Sequence, residues 1–194
     1  LEWLLANIST LDEDVTRLAA AITLNECYEW GYITSRTWLD TIMNTLPIES
    51  NYLVASTLNG YLSKLMIEAA TEEDELRLCD MAENHPLGSL RRGLMMTLAH
   101  TTSTQSVIEK LYSAWSEQRI AQLSENDAMT LAIELAIRLP ERCDTIITTQ
   151  RERLTHEDRI RQFDYIARAA QPDIASRDAL FEWLLIPENR RTEP

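Results

Sequence analysis

The sequence predicts an all-α fold: about ten helices in stacked antiparallel hairpins, an α–α superhelix of the HEAT/armadillo-like solenoid kind. Three observations carry this. Only 4 Gly and 6 Pro occur in 194 residues, too few for the turns of a sandwich or barrel. Capping residues precede apolar stripes of helical period. Those helix starts recur near residues 12, 34, 50, 71, 87, 103, 124, 140, 155 and 173, so a pair of helices takes about 37 residues, within the range of hairpin repeats. The repetition is one of cadence, since no ankyrin or tetratricopeptide consensus can be read. No Gly/Ser-rich linker divides the chain, which reads as a single helical-repeat domain over 1–194.

In the first half, Asp12 is expected to open a helix bearing Val15, Leu18, Ala19 and Ile22, closed by Gly31 in a left-handed conformation. Thr34 or Ser35 opens the next, with Trp38, Ile42, Thr45 and Leu46, and Pro47 stops it. Glu49 or Ser50 starts a third with Val54, Leu58, Tyr61, Leu62 and Leu65 on one stripe. Thr71 with Asp74 reads as a capping box for a fourth helix, which ends near His85-Pro86.

The second half repeats the scheme. A helix from about Leu87 carries Leu90, Leu94, Met95 and Leu98, and Ser103 opens one with Val107, Ile108, Leu111 and Trp115. Ser124 with Asp127 opens a helix that stops at Pro140 and is apolar nearly all round, with a polar stripe of Thr130, Glu134 and Arg138. Such a helix is expected between layers. Glu134 precedes Arg138 by four, an order worth about 0.2–0.5 kcal/mol. Glu141 begins the next helix, with Cys143, Ile146, Ile147 and Leu154; Thr155 with Asp158 opens one bearing Ile160, Phe163, Ala167 and Ala170; Asp173 opens the last, with Ile174, Leu180, Phe181 and Leu184, ended by Pro187.

The net charge of −13 opposes phosphate backbones and anionic lipid, so nucleic acid is not an expected partner. Residues 1–84 hold 15 acids and 4 bases, against 16 and 14 in 85–194; of the 18 bases only Lys64 and Lys110 are lysine. No apolar run reaches membrane-spanning length, and no membrane insertion is expected. The chain starts at Leu1, in what reads as a helix, and is expected to be a C-terminal piece of a longer multidomain chain.

Chemistry-bearing constellations are scarce. Cys27, Cys79 and Cys143 are odd in number and far apart, and read as buried thiols. His156-Glu157-Asp158-Arg159-Ile160 begins like a zinc-protease helix, but Ile160 stands where the second His is needed. His156 therefore reads as an exposed first-turn residue. Glu72-Glu73-Asp74-Glu75 and Asp12-Glu13-Asp14 read as solvated helix starts that complement the dipole. The five tryptophans read mostly as packing. Arg91 and Arg92 follow a Pro86-Leu87-Gly88-Ser89 turn. Paired guanidiniums there could hold a carboxylate such as a peptide C-terminus; the plainer reading is two surface arginines balancing local acids. No catalytic or metal residue is expected in this chain.

Leu139-Pro140-Glu141, then Arg159-Ile160-Arg161-Gln162-Phe163-Asp164-Tyr165-Ile166, then Ser176-Arg177-Asp178-Ala179-Leu180-Phe181, then Pro187-Glu188-Asn189-Arg190 with Glu193-Pro194 form an ordered series. It resembles the C-terminal helical domain of bacterial zinc aminopeptidases of the aminopeptidase N type. The likeness covers 85–194 through these motifs and 1–84 through architecture. What it implies is a non-catalytic domain that closes over the active site of its parent chain and shapes a chamber admitting peptides. Its implied partners are the parent's catalytic domain and peptide substrates. It implies zinc in that catalytic domain and no cofactor here. Asp80-Met81-Ala82-Glu83-Asn84 only mimics the family's exopeptidase motif, lacking its Gly and placing Ala between Met and Glu, so no catalytic role is carried over. A stand-alone scaffold binding a protein partner, or a small all-α enzyme, are the other readings.

Overall fold

The structure, a computed structural model, describes residues 1–119 and 123–190. Among the described residues there are eleven α-helices and no strand. They are α1 Glu2–Asn7, α2 Asp14–Glu29, α3 Ser35–Thr45, α4 Tyr52–Ala69, α5 Glu72–Asn84, α6 Gly88–Thr101, α7 Gln105–Ser116, α8 Glu125–Arg138, α9 Cys143–Arg153, α10 Glu157–Ala167 and α11 Ile174–Leu185. Short 3-10 turns extend several of them, at Leu46–Ile48, Pro140–Arg142 and Pro187–Asn189 among others, each of these three holding a proline at its start. The chain packs as two compact units, Leu1–Lys110 and Leu111–Pro194.

Local sequence accounts for most helix boundaries. Thr71 and Ser124 form capping boxes with Asp74 and Asp127, each hydroxyl accepting the backbone N–H three residues on. Thr34 accepts from Thr37 N, and Asp173 from Ser176 N. After α2, Gly31 at φ 76° closes a Schellman motif. The Tyr32 N–H donates to the Cys27 carbonyl at 2.8 Å and the Gly31 N–H to the Tyr28 carbonyl at 2.9 Å.

Five starts differ from the sequence reading. α7 begins at Gln105, two residues after Ser103, and α9 at Cys143, after the 3-10 turn that holds Glu141. Glu13, not Asp12, precedes α2, with no side-chain cap. His156, not Thr155, stands before α10, also without one. Asn51 caps α4 by accepting from Leu53 N and Val54 N, while Glu49 turns inward to Arg17.

Within unit one, α4 packs on α2, α3 and α6, and α5 packs on α6. The direction of the helices is fixed by bonds at their ends. At the start of α2, Arg17 donates to Glu49 just before α4, at 2.7 and 3.1 Å. At their far ends Lys64 meets Glu29 at 3.1 Å and Tyr28 donates to Glu68 at 2.7 Å. So α2 and α4 run in the same sense, with α3 returning between them.

The same holds for α3 and α5. Arg36 pairs with Asp74 at their starts, and Arg77 donates to the Met43 carbonyl and Asn44 farther along. These bonds, with Thr97 to Asn59 between α6 and α4, join residues 32 to 40 apart. That is the span of one helix pair, the repeat inferred from the cadence. Within unit one, α2 is joined in this way to α4, α3 to α5 and α4 to α6.

Unit two uses the same spacing. Arg159 at the start of α10 donates to Asn126 in the first turn of α8 at 2.7 Å. Arg153 at the end of α9 donates to the carbonyls of Trp115 and Ser116 at the end of α7, at 3.1 and 2.8 Å. α8 is the most buried helix of this unit, with Asp127, Met129, Leu131, Ala132, Leu135 and Ala136 inside. Ile137 departs from the expected all-round burial: it is 53% exposed, on the side where Arg138 pairs with Glu134.

Candidate functional site

Arg91 and Arg92 lie in the first turns of α6, as expected. Consecutive residues on a helix diverge by about 100°, and the two arginines differ accordingly. Arg91 is half-buried, and its Nη1 donates to the Glu83 carbonyl of α5 at 3.4 Å. It thereby helps close the α5–α6 turn. Arg92 is exposed.

The α5–α6 turn is held from beneath by His85, which is buried. The Leu87 N–H donates to its Nδ1 at 3.1 Å, and its Nε2 lies 2.9 Å from the Leu46 carbonyl. The donor into Nδ1 fixes the tautomer, so Nε2 carries the proton and donates to Leu46. His85 thus joins the end of α3 to the turn before α6.

Half of the acidic run at the start of α5 departs from its expected solvated role. Glu72 and Glu73 are exposed, whereas Asp74 and Glu75 are buried. The Arg36 guanidinium beside Asp74 holds that carboxyl well below the usual range, burial opposes this, and the Thr71 N–H adds to the lowering. Burial pushes the Glu75 carboxyl up, but bonds from Thr102, Ser103 and Thr104 outweigh it and leave it lowered. Ser103 N and Thr104 N donate to Glu75 at 3.1 and 3.0 Å, and the Thr102 hydroxyl donates as well. A side chain one repeat earlier therefore satisfies the amides that precede α7. Both carboxylates are structural acceptors with their partners in place.

The histidines and cysteines do not assemble into a centre. Among the described residues no group of three or more His, Cys, Asp or Glu could hold a metal ion. His156 is exposed. Cys79 and Cys143 are buried, and burial pushes both thiols up, away from the thiolate. Cys27, expected buried, is only partly so. Of the tryptophans, Trp38 and Trp115 are in the core, but Trp3 and Trp30 are 66% and 78% exposed, which sequence periodicity did not separate.

Depressions among the described residues carry polar groups; one, of about 160 Å³, holds the paired Arg17 and Glu49, and two others lie elsewhere. One in unit two, of about 210 Å³, is lined by Trp115, Ser124, Glu125, Gln150 and Arg153 among others. There Trp115 Nε1 donates to Gln150 at 3.0 Å, and Arg153 lies over the Trp115 ring at 4.6 Å while binding the end of α7. One in unit one, of about 380 Å³, lies between Pro47 and the α5 residues Glu73, Leu76, Arg77, Asp80 and Met81. Its Arg77 is bound to the end of α3. Neither sets a nucleophile beside a base.

No protein-family model matches the chain, and a search of curated proteins finds no similar one. Among the described residues no helix is long and apolar enough to cross a membrane.

Proposed function

We propose that this chain is the helical-repeat domain of a zinc aminopeptidase of the aminopeptidase N type. It covers the active site and shapes the chamber through which peptides reach it, and breaks no bond itself. The ordered series running from Leu139-Pro140-Glu141 to Asn189-Arg190 carries this reading; Glu193 and Pro194, which complete it, lie outside the described residues. The engagement of Arg17, Arg36, Asp74, Glu75 and Arg153 in joining one repeat to the next supports a scaffold role. A stand-alone scaffold is the second reading, favoured by the repeat geometry alone.

The gene provides the first test. His-Glu-x-x-His with a distal Glu upstream of Leu1 in the same reading frame supports the aminopeptidase reading, and an intact gene without it overturns that reading in favour of the scaffold. In the enzyme so identified, replacing Arg91 and Arg92 by Ala raises KM for longer peptides and spares single-residue reporters. Unchanged length dependence in that variant removes the arginines from the chamber. Unchanged length dependence in a folded enzyme lacking the domain overturns the covering role.

A further inference from the structure

The depression of about 210 Å³ in unit two presents hydrogen-bond donors that lack acceptors. The end of α7, the start of α8 and the end of α9 form it. Gln150 and Arg153 stand three residues apart on α9, a spacing that puts side chains on one side of a helix. Both line the depression.

Gln150 is 2% exposed. The Trp115 indole can only donate, so its bond at 3.0 Å fixes Oε1 of Gln150 on that side and turns Nε2 the other way. Among the described residues nothing accepts a hydrogen bond from that Nε2. No fully buried side-chain nitrogen or oxygen among them lacks a partner, so Nε2 keeps a little surface. Gln150 has hardly any surface besides the wall of the depression, and its amide hydrogens therefore open into it.

Arg153 is half-buried. Its five N–H groups meet two acceptors, the carbonyls of Trp115 and Ser116, and its plane lies on the Trp115 ring. No carboxylate among the described residues pairs with it. Arg17 and Arg36 are raised by their carboxylates, whereas burial pushes the Arg153 guanidinium down. The carbonyl end of α7 offsets part of its charge, and the remainder is partly out of water with no counter-ion.

The remaining walls set the body of the ligand. Ala114, Leu123, Ala128 and Leu154 are apolar. Ser124 is closed in its capping box with Asp127, and the exposed Glu125 is drawn to Arg159 at 3.6 Å. The volume corresponds to roughly seven waters at about 30 Å³ each, the scale of one small aliphatic acid.

We propose that this depression binds a ligand that presents a carboxylate on a short aliphatic body. The carboxylate accepts from Gln150 Nε2 and from the Arg153 guanidinium, and the alkyl group lies on Leu123, Ala128 and Leu154. Donors without acceptors and a cation without a counter-ion select an anion over a neutral or cationic ligand. The apolar walls select the alkyl body. The site goes beyond the covering role proposed above and does not depend on it, because binding belongs to the chain alone.

The test is a titration of the isotope-labelled 194-residue chain with isovalerate, followed through side-chain and backbone amide shifts. The acid is expected to move the Gln150 side-chain amide pair, the Trp115 indole N–H and the amides of Leu123 and Ala128. A dissociation constant of about 1 mM is expected, the strength open to so small a ligand. Isovaleramide, neutral and of the same shape, is expected to bind about tenfold more weakly, since it leaves the charge of Arg153 uncompensated. Gly-Gly-Leu with a free carboxylate separates two sources of this chemistry. Binding tighter than that of isovalerate assigns the site to a peptide end, and weaker binding assigns it to a free acid.

Gln150→Glu keeps an acceptor for Trp115 and replaces the open amide by a carboxylate oxygen. It is expected to weaken isovalerate binding tenfold or more, with the fold checked by Tm. Ala128→Leu fills the depression from α8 at a half-buried position and is expected to give the same loss. It carries the test on its own where Gln150→Glu fails to fold. Absence of shifts at about 20 mM isovalerate, shifts confined to other residues, or equal binding of acid and amide overturn the inference. So does binding retained in folded Gln150→Glu or in Ala128→Leu.

Discussion

The two units join their repeats with different chemistry. In Leu1–Lys110 the junctions are carboxylates taken inside: Glu49 with Arg17, Asp74 with Arg36, and Glu75 beneath the start of α7. In Leu111–Pro194 they include guanidiniums laid on aromatic rings, Arg142 over Tyr112, Arg153 over Trp115 and Arg168 over Trp183, at 4.4 to 4.7 Å. Burial differs in parallel. The helices α3 to α6 each bury five or six residues, whereas α8, α9, α10 and α11 bury six, three, two and none. A carboxylate taken out of water is tolerated only where a counter-ion or several donors meet it. A guanidinium on a ring keeps part of its hydration. The well-buried unit carries the first device and the thinning unit the second.

The core contrast predicts the largest effect. Leu62→Ala in α4 removes a fully buried side chain and is expected to cost about 3–5 kcal/mol. Phe181→Ala in α11, at a position 62% exposed, is expected to cost less than about 1 kcal/mol. Denaturant unfolding with amide exchange resolved by unit checks both. Comparable losses would remove the burial gradient as an account of stability.

The junction contrast comes next. Glu75→Ala leaves the donors of Thr102, Ser103 and Thr104 without their acceptor and is expected to cost about 3 kcal/mol, concentrated in unit one. Arg153→Ala loses a ring contact and two carbonyl bonds, and is expected to cost about 1–2 kcal/mol in unit two. A larger effect of Arg153→Ala would reverse the ranking of the two devices.

Acid gives the smallest and most gradual effect. Asp74 and Glu75 have carboxyls lowered in the folded state. Their contribution is present above the unfolded carboxylate values of about 4 and is lost as pH falls through the lowered folded values. Unit one should therefore lose stability more steeply than unit two from about pH 5 downward. Exchange protection measured along an acid series reads the two slopes separately. Parallel slopes would mean that the buried carboxylates do not set the acid response.

The positions of the helices were legible in the sequence. Capping at Thr34, Thr71, Ser124 and Asp173 and the glycine stop at Gly31 are decided within a few residues of chain. The repeat length followed from the cadence because adjacent hairpins of similar length bring residues about 37 apart into register. What the sequence did not contain was the destination of each polar side chain. Asp74 and Glu75 look like their neighbours Glu72 and Glu73, yet Arg36 and the start of α7 draw them inside. Trp30 and Trp38 were both read as packing residues, but only Trp38 is in the core. Local hydrogen bonds and periodicity act over one turn and are written in the chain, whereas burial depends on which surface another helix presents, and only the tertiary structure decides that.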